Sequence, residues 1–280
     1  MDRLFRLKPH EQAVVQLILL AWTVVVLFPI GTAVLNSLKP NLGEVYKAPF
    51  ALPSAWSFDN FAEAWVGANF QAYFINSVVI SGASVLLVSL CAAAAAFVLV
   101  RMPFRGSAFI FGCFMLGVVI PIRLALAPLF VIVKTLGLLD SLVGIILVQS
   151  ASMMPVAVFI LTAFLRSVPA ELEEAARMDG ALPFEIFWRV VLPLIRPALA
   201  TVALLTFVSA WNEYFLPLIF LRTESSFPIT LGIAQFRLQF DVQWHLMFAG
   251  ILIMLIPTIV AFLLASRQFI AGLTQGGVKE

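Results

Sequence analysis

Residues 142–165 read LVGIILVQSASMMPVAVFILTAFL, a run of 24 residues without Asp, Glu, Lys or Arg. An α-helix needs about 20 mostly apolar residues to cross the hydrocarbon core of a bilayer. Comparable runs occur along the whole chain, and six segments qualify: Ala13–Leu35, Ala72–Val100, Ser107–Val133, Leu142–Leu165, Pro197–Leu221 and Leu246–Ala265. The sequence therefore predicts an all-α, polytopic membrane protein with six transmembrane helices.

The composition supports the same class. Of 280 residues, 62% are hydrophobic and 11% are charged, whereas soluble domains have roughly 45–50% apolar and about 25% charged residues. A soluble fold needs more charged residues than this on its surface, because charged side chains are the ones that cover most of the exterior. An ordinary cytosolic enzyme and a disordered chain are both excluded, and a net charge of +2 is too small to indicate nucleic-acid binding.

Residue types that bind metals are scarce and scattered. His10 and His245 are isolated, and Cys91 and Cys113 lie in apolar runs without CxxC spacing. We predict no metal site, and we expect both cysteines to be buried apolar residues rather than a disulfide.

Basic residues between the spans predict the orientation. Most Lys and Arg residues outside the spans fall on the side of the N-terminus, and cytoplasmic loops carry the excess of such residues. We therefore expect both termini in the cytoplasm. This gives a cytoplasmic N-terminal tail (1–12), a six-helix transmembrane domain (13–265) with an inner loop (166–196), and a cytoplasmic C-terminal tail (266–280).

The inner loop reads RSVPAELEEAARMDGALPFEIFWRVVLPLIR and predicts two short helices with a bend. Acidic residues crowd the first turn of the first helix, where they complement its dipole. Gly180 is placed as the C-terminal cap of that helix. Pro183 opens the second helix, and we expect Pro193 and Pro197 to end it.

Leu172, Ala175, Ala176 and Asp179 share one face of the first helix. Two interpretations remain open. The loop either only connects two spans along the membrane surface, or it docks into a cleft of another protein. About half of its residues are apolar, which favours docking.

Several motifs are similar to a known family. Glu174-Ala175-Ala176 with Gly180, followed by Leu192-Pro193, resembles the EAA loop of the integral membrane subunits of bacterial ABC importers, with Val190 or Val191 where Ile is common. Three further motifs resemble the carbohydrate branch, which includes the second maltose-transporter permease. These motifs are Asn76-Ser77, Trp211-Asn212-Glu213-Tyr214 and Gly272-Leu273-Thr274-Gln275-Gly276-Gly277-Val278-Lys279.

The resemblance implies a MetI-like permease in the bacterial inner membrane, part of an importer for a sugar or oligosaccharide. Its partners would be a second permease subunit in a heterodimer, two copies of a cytoplasmic ATPase that bind ATP and magnesium, and an extracytoplasmic substrate-binding protein. Contact with the ATPase would fall on Glu174, Ala175, Ala176, Asp179, Gly180, Leu192 and Pro193. Gly272, Gly276 and Gly277 would reach between the ATPase subunits; the alternative for that tail is a frayed terminus.

The chain itself contains no Gly-Lys-Ser or Gly-Lys-Thr, so it has no P-loop. We therefore expect no ATPase activity and no cofactor in this chain, with ATP bound by another subunit.

Polar residues inside the spans are candidates for the substrate path. Arg123 either reaches the outer interface or lines the path, because a charged side chain in a span is costly in lipid. Trp211, Asn212, Glu213 and Tyr214 suit a sugar, since aromatic faces pack on pyranose rings and amides bind hydroxyls. The alternative for this motif is a hydrogen bond between helices.

Three other functions are alternatives to a sugar permease. A related permease could carry a non-sugar solute such as glycerol phosphate or a polyol. An ion-coupled secondary transporter would use ionisable relays in the membrane, for which only Glu213 and Arg123 are available. An intramembrane enzyme lacks support, because HExxH, GxSxG and paired intramembrane aspartates are all absent.

Overall fold

The computed structural model describes residues 8–67, 69–236 and 243–277, with residues 265–277 described by their backbone alone. Every regular element in these ranges is helical. In chain order they are α1 (Pro9–Ser37), α2 (Leu42–Lys47), α3 (Asp59–Gly67), α4 (Phe70–Arg101), α5 (Ser107–Val119), α6 (Leu126–Thr135), α7 (Leu142–Ser167), α8 (Glu171–Met178), α9 (Pro183–Ile186), α10 (Leu192–Leu194), α11 (Arg196–Trp211), α12 (Phe215–Phe220), α13 (Ile229–Gln235) and α14 (Trp244–Gly277).

Within the described ranges, four helices are long and apolar enough to cross a membrane: α1, α4, α7 and α14. Two bent pairs raise the number to six if each pair counts as one span. The all-helical class is therefore confirmed, but two predicted spans are not single helices.

The predicted third span, Ser107–Val133, is broken. Helices α5 and α6 meet at an angle of 96°, with the 3₁₀ turn Ile122–Ala125 between them. Pro121 precedes this turn in an extended conformation. A proline lacks the N–H of a helical hydrogen bond and its ring clashes with the preceding turn, so the helix ends before it.

The predicted fifth span, Pro197–Leu221, is also interrupted. Helix α11 ends at Trp211, residues 212–214 are non-helical, and α12 begins at Phe215. The second helix of the inner loop runs from α9 through the π-helical turn Phe187–Val191 into α10 and ends at Leu194, where the chain bends by 78° before α11. Its end lies between Pro193 and Pro197, as predicted, although Pro193 itself is within the helix. A π turn is one residue wider than an α turn, which makes room for the ring of Pro193.

The chain divides into two units, Met1–Phe70 with Ile233–Leu255, and Gln71–Gly232 with Ile256–Glu280. In the first unit, residues 10–31 of α1 are exposed, and burial begins only in its last turns, at Ala33. Lys39 is buried after α1 and donates hydrogen bonds to Asn36 Oδ1 (2.8 Å) and to the carbonyl of Ala48 (2.5 Å). Burial lowers the pKa of the Lys39 ammonium, and the negative charge of Glu44 offsets part of this shift because it raises the pKa.

The second unit is built around α7, which packs against α5, α11 and α12. Its larger core joins α4, α7 and the α9–α11 segment. Small side chains on α4 let the helices approach closely, and they are fully buried: Ala92, Ala93 and Ala96. The predicted burial of the cysteines is wrong, because Cys91 and Cys113 are exposed on apolar helices, where a lipid environment accommodates a weakly polar thiol.

Asp140 joins the turn before α7 to the segment after α12. It has φ +57°, a left-handed conformation that Asp and Asn tolerate better than most residues. Its N–H donates to the carbonyl of Phe220 (2.9 Å), and its carboxylate accepts from the N–H groups of Arg222 (2.8 Å) and Thr223 (2.9 Å) and from the Thr223 hydroxyl. These bonds, led by the Thr223 hydroxyl, lower the pKa of Asp140.

Gly144 is required for the tight start of α7. A Cβ at this position would lie 2.1 Å from the carbonyl oxygen of Leu138, and backbone cannot give way cheaply. We expect Gly144→Ala to lower the free energy of unfolding by about 1–3 kcal/mol, the usual cost of overpacking. Denaturation by SDS in mixed micelles measures this. Gly82→Ala is the control, since its Cβ would meet nothing within 4 Å; an equal loss in both variants would contradict the steric account.

Asp140 should make stability depend on pH in the acidic range. Because its folded pKa lies below the ordinary value of 3.8, its contribution is complete above that value and is lost as the pH falls through the folded pKa. We expect Asp140→Asn, which keeps the backbone conformation, to melt below wild type at pH 7. The difference should shrink as the pH is lowered from 3.8. Thermal midpoints in detergent check this, and a pH-independent difference would contradict it.

Candidate functional site

The first helix of the inner loop, α8, ends in a motif that sets the bend. The N–H of Ala181 donates to the carbonyl of Ala176 (3.0 Å), and the N–H of Gly180 donates to the carbonyl of Arg177 (3.0 Å). This is the Schellman pattern, and Gly180 has the left-handed φ of +83° that it requires. The predicted cap at Gly180 is confirmed.

The second helix starts immediately afterwards. Pro183 occupies its first position, and the side chain of Glu185 accepts a hydrogen bond from the N–H of Leu182 (3.0 Å). Ile186, Phe187 and Val191 then point into the core of the second unit. Their burial fixes the second helix against α4 and α7.

Helix α8 turns most of its apolar side chains outward. Leu172 is 58% exposed and Met178 is 88% exposed, and beyond the bend Leu182 and Phe184 are also exposed. Phe184 lines a groove together with Trp188 and Val98 of α4. The only buried residue of α8 is Glu173. This arrangement is the reverse of a helix on a soluble protein, where the apolar stripe faces the core.

The structure divides the predicted coupling residues into two groups. The exposed group comprises Glu174, Ala175, Asp179, Gly180 and Pro193. Ala176 and Leu192 are half-buried and pack against the core. The predicted shared face therefore holds for Leu172, Ala175 and Asp179, while Ala176 belongs to the inner side.

Sequence reasoning missed an ion pair behind α8. The Nε of Arg101, the last residue of α4, donates to Glu173 Oε1 at 2.8 Å. Its Nη2 donates to the carbonyl of Val168 at 2.6 Å, just after the end of α7. The pair was missed for two reasons. The helix dipole alone accounts for an acidic first turn in α8, and residues 101 and 173 are too far apart in the sequence for a local pattern to connect them. An isolated basic residue at the end of an apolar span was the available signal.

The interruption after α11 holds the predicted substrate-path residues. Trp211 is 1% exposed; it stacks on Phe207 (centroids 5.5 Å apart, 21° between planes) and meets the edge of Phe74. Its ring faces the protein interior, so the expectation that it packs on a sugar is not met in this conformation. Asn212 and Tyr214 are exposed beside it.

Glu213 satisfies backbone groups at the start of α12. Its Oε1 accepts hydrogen bonds from the N–H groups of Phe215 (2.8 Å) and Leu216 (3.1 Å). The carboxylate thus restarts a helix. Between the two interpretations offered by the sequence, this geometry favours a structural hydrogen bond within the bundle, although the bond is to backbone rather than to another helix.

Arg123 is exposed at the break between α5 and α6, and its guanidinium carbon lies 5.3 Å from the ring centroid of Phe215. A cation over an aromatic face is stabilised by the ring quadrupole. This contact brings the two broken spans together, so that Arg123, Asn212 and Tyr214 lie near the same interruption.

Two further predictions concern the tail and metal binding. Gly272, Gly276 and Gly277 belong to the backbone of α14, but their surroundings lie outside the described residues, so the tail contact stays a prediction. Among the described residues, no group of three or more His, Cys, Asp or Glu side chains could hold a metal ion.

Curated relatives cover nearly the whole chain. The diacetylchitobiose uptake system permease protein NgcG of Streptomyces coelicolor is 34% identical over 94% of this chain and 88% of its own length. The trehalose transport system permease protein SugB of Mycobacterium tuberculosis is 34% identical over 92% of this chain and 97% of its own. The melibiose/raffinose/stachyose import permease protein MelC of Bacillus subtilis is 34% identical over 84% and 85%.

The fold is shared with a solved importer. A chain of a bacterial ABC transporter involved in the import of the acidic polysaccharide alginate superposes with a TM-score of 0.84, covering 94% of this chain and 99% of that one at 23% identity. The family model for the binding-protein-dependent transport system inner membrane component matches residues 85–268. With more than half of the chain matched, this protein belongs to that family of membrane transport components, which are permeases rather than enzymes.

Proposed function

We propose that this chain is a permease subunit of an ABC importer that carries a sugar or oligosaccharide across the bacterial inner membrane, driven by a separate ATPase through the α8 loop. One observation carries the proposal. The loop presents Leu172, Met178, Leu182 and Phe184 outward on a rigid bend, while its second helix is fixed in the core. A surface of this kind fits a cleft of a partner protein.

The energetics favour docking over simple connection. Burying one Leu, Met or Phe side chain contributes about 1.5–3 kcal/mol, so an apolar loop left in water would forgo several such contributions. The left-handed Gly180 and the Schellman hydrogen bonds hold the two helices of the loop at a fixed angle. A push on α8 is therefore passed to α11 through a continuous packed path, as alternating access requires.

Orientation follows from the basic residues. We place both termini and the α8 loop in the cytoplasm, in accordance with the positive-inside rule. Arg177 and Arg189 are exposed on the loop, and Arg166 at its start lies over the ring of Phe111 at 5.2 Å.

The complete importer would contain two copies of an ATPase, each binding ATP and magnesium, and a second, different permease subunit. This chain has no ATPase site of its own. The C-terminal tail with Gly272, Gly276 and Gly277 would add a further ATPase contact.

For the substrate, we propose a neutral di- or oligosaccharide delivered by an extracytoplasmic binding protein. Support comes from the relatives, which are named as permeases for diacetylchitobiose, trehalose and arabinooligosaccharides. An exposed amide at Asn212 and an exposed phenol at Tyr214 suit hydroxyl recognition. Arg123 would flank this part of the path, with its charge partly satisfied by Phe215.

The decisive test is reconstitution with the ATPase, second permease and binding protein encoded alongside this chain. ATP-dependent uptake from a panel of sugars, glycerol phosphate and polyols into proteoliposomes should select a sugar. The chain alone should hydrolyse no ATP. Uptake by the chain alone, driven by an ion gradient, would overturn the proposal; selection of a polyol would overturn the substrate class only.

Gly180 offers a test of the bend. A Cβ there meets nothing within 4 Å, so the cost of Gly180→Ala lies in the left-handed backbone and amounts to about 1–2 kcal/mol. We expect Gly180→Ala to lower uptake per ATP hydrolysed, with normal membrane insertion. Gly180→Asn is bulkier but tolerates the conformation, so it should retain more coupling. Greater damage by Asn than by Ala would mean that bulk at the docking surface, not the backbone, matters.

Two residues at the interruption after α11 are expected to have different roles: Asn212 in substrate binding and Glu213 in the structure. We expect Asn212→Ala to raise the KM for uptake by about 2- to 10-fold, the value of one hydrogen bond. The Asn212 amide also donates to the carbonyl of Val208 (2.8 Å), so the free energy of unfolding should fall by no more than about 1.5 kcal/mol. Glu213→Ala should instead reduce stability by about 0.5–2 kcal/mol, since two N–H groups lose their acceptor. Glu213→Gln keeps an oxygen there and serves as the control. A wild-type KM for Asn212→Ala would remove Asn212 from the path.

A further inference from the structure

Arg101 joins the ends of three helices. It is the last residue of α4, it donates to the carbonyl of Val168 immediately after α7, and it pairs with Glu173 in the first turn of α8. The side chains are 12% and 2% exposed for Arg101 and Glu173 respectively. All three helix ends therefore depend on one buried guanidinium.

The electrostatics favour this arrangement. The C-terminal ends of α4 and α7 carry partial negative charge, which a guanidinium offsets, and the first turn of α8 favours a carboxylate. A guanidinium also holds two acceptors in fixed directions, which a lysine ammonium does not. The pair thus specifies orientation as well as attraction.

Apolar packing does not replace the pair at α8. The second helix of the inner loop is anchored by Ile186, Phe187 and Val191. By contrast, α8 buries only Glu173, and its half-buried Ala176 packs against the core. Removing Arg101 would leave a buried carboxylate without compensation, because the second oxygen, Oε2, has no hydrogen-bond partner among the described residues.

We propose that Arg101 and Glu173 are positioning residues that make α8 move as one body with the ends of α4 and α7. The proposal rests on the proposed function, since it specifies how movement of the loop reaches the membrane helices. Without the pair, α8 would shift against the bundle and the ATPase would turn over without opening the path.

The test uses the complete importer in proteoliposomes and measures solute imported per ATP hydrolysed. We expect Arg101→Ala to lower this ratio about tenfold, within the usual range of coupling between sites, while ATP hydrolysis persists. Arg101→Lys and Glu173→Gln, which keep part of the bonding, should give intermediate ratios. Arg105→Ala is the control, because Arg105 is an exposed arginine in the turn just after α4.

A wild-type ratio in folded Arg101→Ala would overturn the proposal. So would a reduced amount of assembled importer with an unchanged ratio, which is the signature of a merely structural role. If Arg101→Ala does not assemble, wild-type ratios in both Arg101→Lys and Glu173→Gln would overturn it.

Amide hydrogen exchange separates this proposal from the proposed function. If the proposed function is wrong, the wild-type importer will show no ATP-dependent import. In that event, faster exchange in α8 of Arg101→Ala or Arg101→Lys, with the interior of α7 unchanged, still supports the anchoring, whereas unchanged exchange in α8 overturns it.

Discussion

The need to satisfy every backbone hydrogen-bonding group in a water-free environment governs this structure. A helix satisfies its own interior groups but leaves free N–H and C=O groups at each end, and lipid offers them no partner. Each interruption of a span must therefore supply its own acceptors or donors. Charged side chains do so at the break after α11, and they play the same part at the ends of helices. Glu213 accepts from the start of α12, Asp140 accepts from the segment after α12, and Arg101 donates to the carbonyl that follows α7.

This constraint explains where the candidate functional residues lie. Arg123 sits at the break between α5 and α6, and Asn212 and Tyr214 sit at the break after α11. A straight helix in lipid has little polar surface to offer a solute, whereas a break exposes polar groups at membrane depth. Transporters commonly bind their substrates at such discontinuous helices, so the two breaks joined by the Arg123–Phe215 contact are a natural place for a solute path.

The sequence predicted the spans because the apolar runs reflect the solvent directly, and it predicted the Gly180 cap because a left-handed turn requires glycine. It did not predict that each of these two spans divides into separate helices. Pro121 indicated a kink in the third span, but the apolar residues on both sides of it are typical of one span and do not predict a bend of 96°. The polar motif at 211–214 is as compatible with a helix as with a gap. Trp211 was expected at the substrate because its ring suits a sugar; its place between Phe207 and Phe74 depends on tertiary packing, which a single sequence does not encode in its local pattern.

Glu173 shows the same limit in the coupling loop. Three acidic residues share the first turn of α8, and the helix dipole explains all three equally well. Only the structure distinguishes the buried Glu173 from its exposed neighbours.

The burial of Glu173 has a consequence for the inner loop as a whole. A helix that buries a charge and exposes Leu172 and Met178 is inside out with respect to its own chain, and this is stable only if the exposed side meets another apolar surface. Anchoring by a directional ion pair leaves the apolar residues free for that surface, whereas an apolar anchor would have used them within the chain. The buried pair and the exposed face of α8 are thus two halves of one arrangement, in which an ion pair attaches the helix to its own bundle and the apolar side chains stay available for the proposed partner.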